Sequence, residues 1–239
     1  MSERRLLLVH GSCHGAWCWD RAIPELAARG LQARAIDLPA HGADRTPPAQ
    51  ATLDLYVESI LKAIDAPVTL VGHSAAGYPV TIAAERAPHL IDRLVYVCAY
   101  VPRPGLSMID MRRAGPRQPL AGIARAAPDG VTYSFDPTHV PGLFYHDCPP
   151  EDASRALELL CPEPIAPQAT PCPPLDRVDR VRRHYILCEQ DRVIPPEYQA
   201  DMAAAFGSQA VTWMNTGHSP FFADPRGLAE QLAQITAAL

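Results

Sequence analysis

The sequence predicts an α/β fold, in which a mainly parallel sheet has helices on both faces and a cap is inserted between two core strands. Apolar runs of strand length alternate with segments of helical periodicity along most of the chain, the order that builds a parallel sheet. This alternation stops between Pro102 and about Asp176, where prolines are dense. Such a stretch is too long for a simple loop, so we assign residues 102–176 to the cap. Residues 1–101 and 177–239 form the predicted core.

The core elements follow from periodicity and from apolar runs. The helix over Leu53–Ile64, for example, places Tyr56, Val57 and Ile60 on one face. After the cap, two further apolar runs predict the last strands, His184–Cys188 and Ala210–Asn215. Before it, the predicted elements are a strand over Arg5–Val9, a helix over Trp17–Arg29, a strand over Gln32–Ile36, the helix just described, a strand that ends at Val71, a helix that runs to Arg86 and a strand over Leu94–Ala99.

A serine lies at the junction of a strand and a helix within VTLVGHSAAG, residues 68–77. A sharp strand-to-helix turn holds a serine hydroxyl clear of the backbone, which suits a nucleophile. Gly72 provides a small neighbour for this turn, whereas Ala76 replaces the second glycine of the G-x-S-x-G pattern and Gly77 follows one place late. We expect Ala76 to occupy the tightest point of the turn. The context predicts that Ser74 is a nucleophile rather than a helix cap.

A serine nucleophile needs a base, and the base needs a carboxylate to orient it. Asp191 closely follows the predicted strand His184–Cys188, and the carboxyl ends of strands are where open α/β sheets place their chemistry. Glu189 and Asp179 are competing carboxylates. His218 lies in a loop after the last predicted strand, with a glycine before it that lets the backbone aim the ring. We therefore select Asp191 as the acid and His218, among nine histidines, as the base.

Two backbone N–H groups are needed to stabilise the oxyanion of a tetrahedral intermediate. One is expected from Ala75, directly after the serine, and the other from a loop that follows an early strand. That loop reads HGSCHG over residues 10–15, and Ser12 is placed to give the second N–H. A glycine-rich loop after a strand can also bind phosphate, but neither G-x-G-x-x-G nor a P-loop lysine is present.

Four segments together resemble the plant methylesterase and hydroxynitrile lyase branch of the α/β-hydrolase superfamily. They are LLLVHGSCHGAWCWDR near the start, VGHSAAG at the serine, ILCEQDRVIPPEYQ after the cap and the final NTGH. The string His-Gly-x-Cys-His-Gly-x-Trp-x-Trp is more specific than the serine pattern, and the likeness extends through the cap segment LFYHDCPPEDASRALELLCPEP. The resemblance implies an α/β-hydrolase fold that needs no cofactor or metal. It also implies a triad and oxyanion donors at the positions selected above: Ser74, Asp191, His218, Ser12 and Ala75.

Two positions separate the esterases from the lyases in this branch. The lyases resemble one another in having a threonine where Gly11 stands and, directly after the catalytic histidine, a lysine that stabilises departing cyanide. Here Ser219 follows His218, and His73 precedes the serine as it does in the esterases. The resemblance therefore implies ester hydrolysis rather than cyanohydrin cleavage.

Composition limits the classes of partner. A chain of 239 residues with 48% hydrophobic content can bury one sizeable core. Its formal net charge of −5 argues against nucleic acid or an anionic membrane surface as a partner, and no apolar run approaches the ~20 residues that span a bilayer. The charged start leads straight into a strand, so we expect no signal peptide. Seven cysteines without metal-ligand spacing predict a reduced, cytoplasmic protein that binds no metal; a homodimer is left open.

Apolar side chains of the cap, and two phenylalanines after the histidine, predict a mostly apolar pocket that favours small uncharged esters. Trp17 and Trp19 are expected to pack in the core. The arginines of the cap could meet a carboxylate, but such a cluster is more often solvated surface; they are Arg112, Arg113 and Arg117. The residues selected as substrate contacts are Gly11, His14, Leu143, Phe144 and Phe221.

These assignments predict a serine carboxylesterase that hydrolyses alkyl or aryl esters of the methyl-ester type through an acyl-enzyme. One alternative is a hydroxynitrile lyase, which would release cyanide from mandelonitrile. Another is a ligand receptor derived from a hydrolase, which would turn over every ester slowly and bind one ligand tightly.

Overall fold

The computed structural model of the chain describes residues 4–237 and contains two sheets. The strands in chain order are β1 (Arg5–Val9), β2 (Gln32–Ile36), β3 (Val68–His73), β4 (Ile91–Val97), β5 (Ala124–Ala126), β6 (Thr132–Phe135), β7 (Glu163–Pro164), β8 (Arg182–Cys188) and β9 (Val211–Met214). The α-helices are α1 (Ala22–Ala27), α2 (Leu53–Lys62), α3 (Gly77–Arg86), α4 (Met108–Ala114), α5 (Val140–Phe144), α6 (Pro150–Leu159), α7 (Ile165–Ala169), α8 (Pro196–Ala203), α9 (Pro220–Ala223) and α10 (Pro225–Ala237).

The larger sheet has six strands in the spatial order β2-β1-β3-β4-β8-β9, and every neighbouring pair is parallel. The register places Leu7 of β1 beside Leu70 of β3, and Leu70 beside Leu94 of β4. All six residues of β3 are buried, because helices cover both faces of a parallel sheet and leave its central strands no solvent-facing side. The predicted α/β architecture with a mainly parallel sheet is confirmed.

One predicted helix is wrong as a single element. The segment Trp17–Arg29 divides into a 3₁₀ turn over Ala16–Trp19 and the helix α1. Pro24 explains the division, because it has no N–H to donate to the carbonyl of Asp20 and its ring would collide with that carbonyl in a continuous helix. In its observed place Pro24 lies in the first turn of α1, where a missing N–H is tolerated.

The segment between β4 and β8 contains the irregular part of the chain, where the sequence predicts the cap. It holds α4 to α7 and a small antiparallel sheet in which β6 lies between β5 and β7. Thr132 pairs with Pro164, and Ala124 pairs with Phe135. We refer to residues 102–176 as the cap segment below.

None of the helices within residues 4–237 is long and apolar enough to cross a membrane. All seven cysteines, which lie within this range, are free thiols.

Candidate active site

Four loops at one edge of the large sheet carry the residues selected from the sequence. Ser12 follows β1, Ser74 follows β3, Asp191 follows β8 and His218 follows β9. Because all these strands are parallel, their carboxyl ends lie at the same edge, and the loops that follow them converge there.

Ser74 occupies a strained turn between β3 and α3. Its φ of 56° is left-handed, a conformation that non-glycine residues rarely adopt and that recurs at functional sites. The N–H of Tyr100 donates to the Ser74 carbonyl at 3.1 Å and fixes the turn against the segment after β4. A side chain at Gly72 would lie 2.7 Å from Val80 Cγ2, and one at Gly77 would collide with the carbonyl of Tyr100. The tightest point is therefore Gly77, and the expectation that placed it at Ala76 is wrong.

His218 lies between Ser74 and Asp191 at hydrogen-bond distance from both. His218 Nε2 is 3.0 Å from Ser74 Oγ, and His218 Nδ1 is 2.8 Å from Asp191 Oδ2. A carboxylate can only accept, so Nδ1 donates to Asp191 and Nε2 is left to accept the serine proton. The side chains of His218 and Asp191 are fully buried. The three groups have the geometry of a nucleophile, a base and an orienting acid.

The carboxylate of Asp191 accepts four hydrogen bonds. Its Oδ1 accepts from the N–H groups of Val193 and Ile194 at 2.7 and 3.0 Å, and its Oδ2 accepts from Gln199 Nε2 at 2.8 Å as well as from His218. The competing carboxylates lie elsewhere: Glu189 is exposed, and Asp179 forms an ion pair with Arg183. Gln199 was not selected from the sequence, because a buried glutamine in a helix has no signature in a single sequence.

Behind the base, His73 fixes the backbone of His218. His73 Nε2 donates to the His218 carbonyl at 2.8 Å, and the Cys98 thiol donates to the same oxygen at 3.4 Å. Burial and the neighbouring His218 lower the pKa of His73, which keeps that ring neutral. The nitrogen and sulfur atoms of His73, Cys98 and His218 lie within 4.8 Å of one another, a spacing that could hold a metal. Among the described residues His73 Nδ1 has no hydrogen-bond partner. Both His218 nitrogens, His73 Nε2 and the Cys98 thiol already form hydrogen bonds, so the group fits a hydrogen-bonded cluster better than a metal site.

Ser12 and Ala75 are the residues selected from the sequence as the two oxyanion donors. Both residues line the cavity that also holds Ser74 and His218. Ala75 is the second residue of a 3₁₀ turn over Ser74–Ala76, and the first amides of a helical turn have no acceptor within it.

The other polar groups around Ser12 are already bonded, mostly by the cap segment. Ser12 Oγ accepts from Gln168 Nε2 at 2.6 Å, and the Ser12 carbonyl accepts from His14 Nδ1 at 2.7 Å. The next amide, of Cys13, donates to Glu163 Oε2 at 2.6 Å. Tyr145 of the cap segment donates from its hydroxyl to His14 Nε2 at 2.7 Å. The hydroxyl and the carbonyl of Ser12 therefore both have hydrogen-bond partners.

Glu163 also forms a buried ion pair. His41 Nε2 lies 2.9 Å from Glu163 Oε2, and His41 Nδ1 lies 3.1 Å from the Pro39 carbonyl. Both partners can only accept, so the His41 ring carries both protons and is charged. Burial by itself lowers the pKa of His41, but the adjacent Glu163 carboxylate more than offsets this and holds the pKa above its usual value. Neither Glu163 nor Gln168 was selected from the sequence, because nothing in a proline-rich cap predicts which polar side chain turns inward.

The residues selected as substrate contacts divide into three groups. His14 and Phe144 line the catalytic cavity, and the Phe144 ring lies 5.4 Å from the His218 ring. Gly11 lies so close to the nucleophile that a Cβ on it would be 2.8 Å from Ser74 Cβ. Leu143 is not in the cavity wall, and Phe221 is fully buried behind it.

Phe221 as a substrate contact is therefore corrected. It packs against the rings of His73 and Trp19 at 5.0 and 5.3 Å, because the turn after His218 leads directly into the buried helix α9. Trp19 is fully buried, as expected of a packing residue. Leu143 lies on α5 one residue before Phe144, and the helix directs Phe144 rather than Leu143 toward the cavity.

Comparison with known proteins gives one family. The family model described as "Alpha/beta hydrolase family" matches residues 6–231. Methyl jasmonate esterase 1 of Vitis vinifera is 31% identical, with 98% of this chain and 97% of the relative aligned. Methylesterase 1 of Arabidopsis thaliana is 30% identical, with 98% of this chain and 96% of the relative aligned.

Solved structures of two esterases or hydrolases are similar to this chain over nearly its whole length. A pyrethroid hydrolase from Sphingobium faniae superposes with a TM-score of 0.87 at 26% identity, covering 98% of each chain. Polyneuridine aldehyde esterase superposes with a TM-score of 0.85 at 25% identity, covering 98% of this chain and all of the other.

Proposed function

The chain belongs to the alpha/beta hydrolase family, and we propose that it is a serine carboxylesterase that acts on small esters through an acyl-enzyme at Ser74. The observation that carries the proposal is the continuous hydrogen-bond line from Ser74 Oγ through the His218 ring to the fully buried carboxylate of Asp191. The esterase names of its sequence relatives support the same reaction class.

In the first half of the reaction, Ser74 Oγ attacks the ester carbonyl while His218 Nε2 takes the hydroxyl proton. Asp191 holds the ring in the tautomer that can accept this proton and stabilises the imidazolium that forms. The carbonyl oxygen becomes an oxyanion, which the N–H groups of Ser12 and Ala75 stabilise. The intermediate collapses when His218 returns the proton to the leaving alcohol, and the acyl group stays on Ser74.

In the second half, water replaces the alcohol. His218 takes a proton from the water as its oxygen attacks the acyl carbonyl, and the same two amides stabilise the second oxyanion. His218 then protonates Ser74 Oγ as the acid departs. Ser12 reaches this step already oriented, because its hydroxyl, its carbonyl and the following amide are all bonded.

Cyanohydrin cleavage is less well supported. A threonine in place of Gly11 would have to fit where a Cβ already meets Ser74 Cβ at 2.8 Å and His73 Nδ1 at 3.0 Å. Ser219, at the position of the lyases' lysine, is fully buried and offers no charge. The relatives' names favour methyl esters as the substrate class.

The proposal is tested by replacing Ser74 with alanine and assaying a short-chain aryl ester. We expect kcat/KM to fall by at least about 10³-fold with the fold intact by circular dichroism, since loss of a triad member usually lowers the rate this much or more. Ser154→Ala is the matched control, because that exposed hydroxyl donates only to the Pro150 carbonyl at 2.8 Å. Activity of Ser74→Ala within about tenfold of the wild type would mean that another group is the nucleophile.

A further inference from the structure

A positively charged side chain lines the cavity around Ser74. Arg112 lies on α4, is partly buried, and lines the same cavity as Ser74 and His218. It also lines an adjoining outer cavity, and the two cavities share Tyr100, Leu120 and Val193 as walls. Arg112 therefore lies where the inner, catalytic space meets the outer one.

The Arg112 guanidinium has no acidic partner within residues 4–237, whereas Arg103 and Arg117 each pair with a carboxylate. Arg117 donates to both carboxylate oxygens of Glu197 at 2.7 and 2.8 Å. The carboxylate of Asp110, two residues before Arg112, is bonded to the hydroxyl and amide of Ser107 at 2.6 and 3.0 Å as part of a helix cap. The carboxylates of Asp110 and Glu197 are thus bonded to groups other than Arg112.

No aspartate or glutamate lines either cavity among the described residues, whereas three arginines do. The Arg112 side chain is a partly buried guanidinium, and this burial removes part of its hydration. Glu197 neutralises Arg117 in the outer cavity, but Arg112 gives the inner cavity a positive charge, which favours an anionic ligand. A planar guanidinium binds a carboxylate through two parallel hydrogen bonds, which makes a carboxylate the best match.

We propose that the substrate is an ester that also carries a carboxylate, such as the monomethyl ester of a short dicarboxylic acid, and that Arg112 binds this carboxylate while the ester carbonyl lies at Ser74. This inference rests on the proposed esterase function and revises the expectation, drawn from the sequence, of an uncharged ester. The inner and outer cavities meet at Arg112, so a short chain between the two groups would keep the ester carbonyl in the inner one. Arg112 takes no part in bond making here; it determines which ester is bound.

The test compares a charged and a neutral ester of the same acid. The kcat/KM values of monomethyl and dimethyl glutarate are measured by titration of released acid, with succinate and adipate esters to vary the chain length. We expect the wild type to prefer the half-ester. We expect Arg112→Gln to lower the ratio of half-ester to diester kcat/KM by about 10- to 100-fold, the range of a hydrogen bond to a charged group.

Two further variants make the result specific. Arg112→Lys keeps the charge without the planar fork and should restore part of the preference. Arg125→Gln removes the same charge from the exposed strand β5, where Arg125 pairs with Asp136, and should leave the ratio unchanged. An unaltered ratio in Arg112→Gln, an equal loss on both esters, or a wild-type preference for the diester at every chain length would overturn the inference. Hydrolysis of the diester would still support the esterase function in those cases, whereas failure on every ester would overturn both.

Discussion

At the scale of single residues, three side chains of the cap segment form hydrogen bonds to the loop over residues 10–15, which contains the proposed oxyanion donor Ser12. Glu163 and Gln168 bond the Cys13 amide and the Ser12 hydroxyl, and Tyr145 bonds the ring of His14. Cys13 itself has a φ of 63°, a left-handed conformation that its surroundings must stabilise. Glu163 is the charged member of this set, so removing its charge tests the arrangement most directly.

We expect Glu163→Gln to lower kcat on a neutral ester by about 10- to 100-fold with little change in KM, because a misplaced oxyanion donor weakens binding of the transition state more than that of the substrate. Glutamine keeps the size of the side chain but cannot neutralise the buried His41 ring. Steady-state kinetics measure the two parameters, and exposed Glu158→Gln on α6 is the control. A parallel rise in KM at unchanged kcat would contradict a role in positioning the amide.

At the scale of secondary structure, the turn between β3 and α3 depends on how closely two backbones approach. Gly77 faces the carbonyl of Tyr100, whose own N–H bonds the Ser74 carbonyl at 3.1 Å, so the segment after β4 cannot move away without breaking that bond. Ala76, by contrast, already accommodates a buried methyl group. Two adjacent small residues therefore differ sharply in what they tolerate.

We expect Gly77→Ala to destabilise the fold by about 1–3 kcal/mol or more and to reduce activity, since its Cβ would push against backbone rather than a flexible side chain. Ala76→Gly, one residue away, should lower the free energy of unfolding by only about 1 kcal/mol, the difference in helix propensity, and keep most of the activity. Urea unfolding and an ester assay measure both effects. Equal behaviour of the two variants would show that the turn is not crowded at Gly77.

We expect Ala76→Val to lose most of its ester hydrolysis in the same assay. A branched side chain in this buried turn would shift Ser74 relative to His218.

At the scale of the whole molecule, several histidines are buried in neutral form. Burial lowers the pKa of His14 to about 4 and also lowers the pKa of His184 to about 4. Burial likewise depresses the pKa values of His10 and His73. His41 has the opposite shift: burial lowers its pKa, but Glu163 raises it above the usual value.

We expect the free energy of unfolding to fall as the pH decreases from about 6.5 toward 4. In this window the unfolded chain protonates histidines that stay neutral in the folded one, and each such group lowers the stability by up to about 1.4 kcal/mol per pH unit. His41 acts in the other direction, since its contribution is complete below about 6.5 and is lost as the pH rises through its elevated pKa. Denaturant unfolding at several pH values measures the slope.

His184→Gln removes one of these titrating histidines at a position away from the candidate active site, so it tests that histidine's contribution to the pH dependence of stability. His184 Nε2 contacts Thr212 Oγ1 at 3.2 Å, an interaction that a glutamine amide can replace. The variant should show a smaller loss of stability between pH 6.5 and 4 than the wild type. An identical slope would mean that His184 is protonated in the folded protein as well.

The sequence predicted the strands that matter to the site to within a few residues. Strands β1, β3 and β8 each contain an apolar run, as burial on both sheet faces demands, whereas the edge strand β9 is only partly buried. The prediction of one helix over Trp17–Arg29 was wrong because it rested on the spacing of apolar residues. That spacing does not show that Pro24 would collide with the carbonyl of Asp20 in a continuous helix. Gln199, which bonds Asp191, and Glu163, which bonds the Cys13 amide, were missed for a different reason. A single sequence does not distinguish polar side chains that point into the protein from those that point into solvent.

The order of the candidate catalytic residues could be predicted from the chain alone, because a serine at a strand-to-helix turn, an acid after one strand and a histidine after the next are local patterns. Their surroundings became evident only in the folded structure. It placed Gly77 rather than Ala76 at the tightest contact, Phe221 in the core and Arg112 in the cavity wall. These are contacts between segments far apart in the chain, such as Glu163 with Cys13, and their distances depend on how the cap segment packs on the sheet. Local patterning carries no information about that packing.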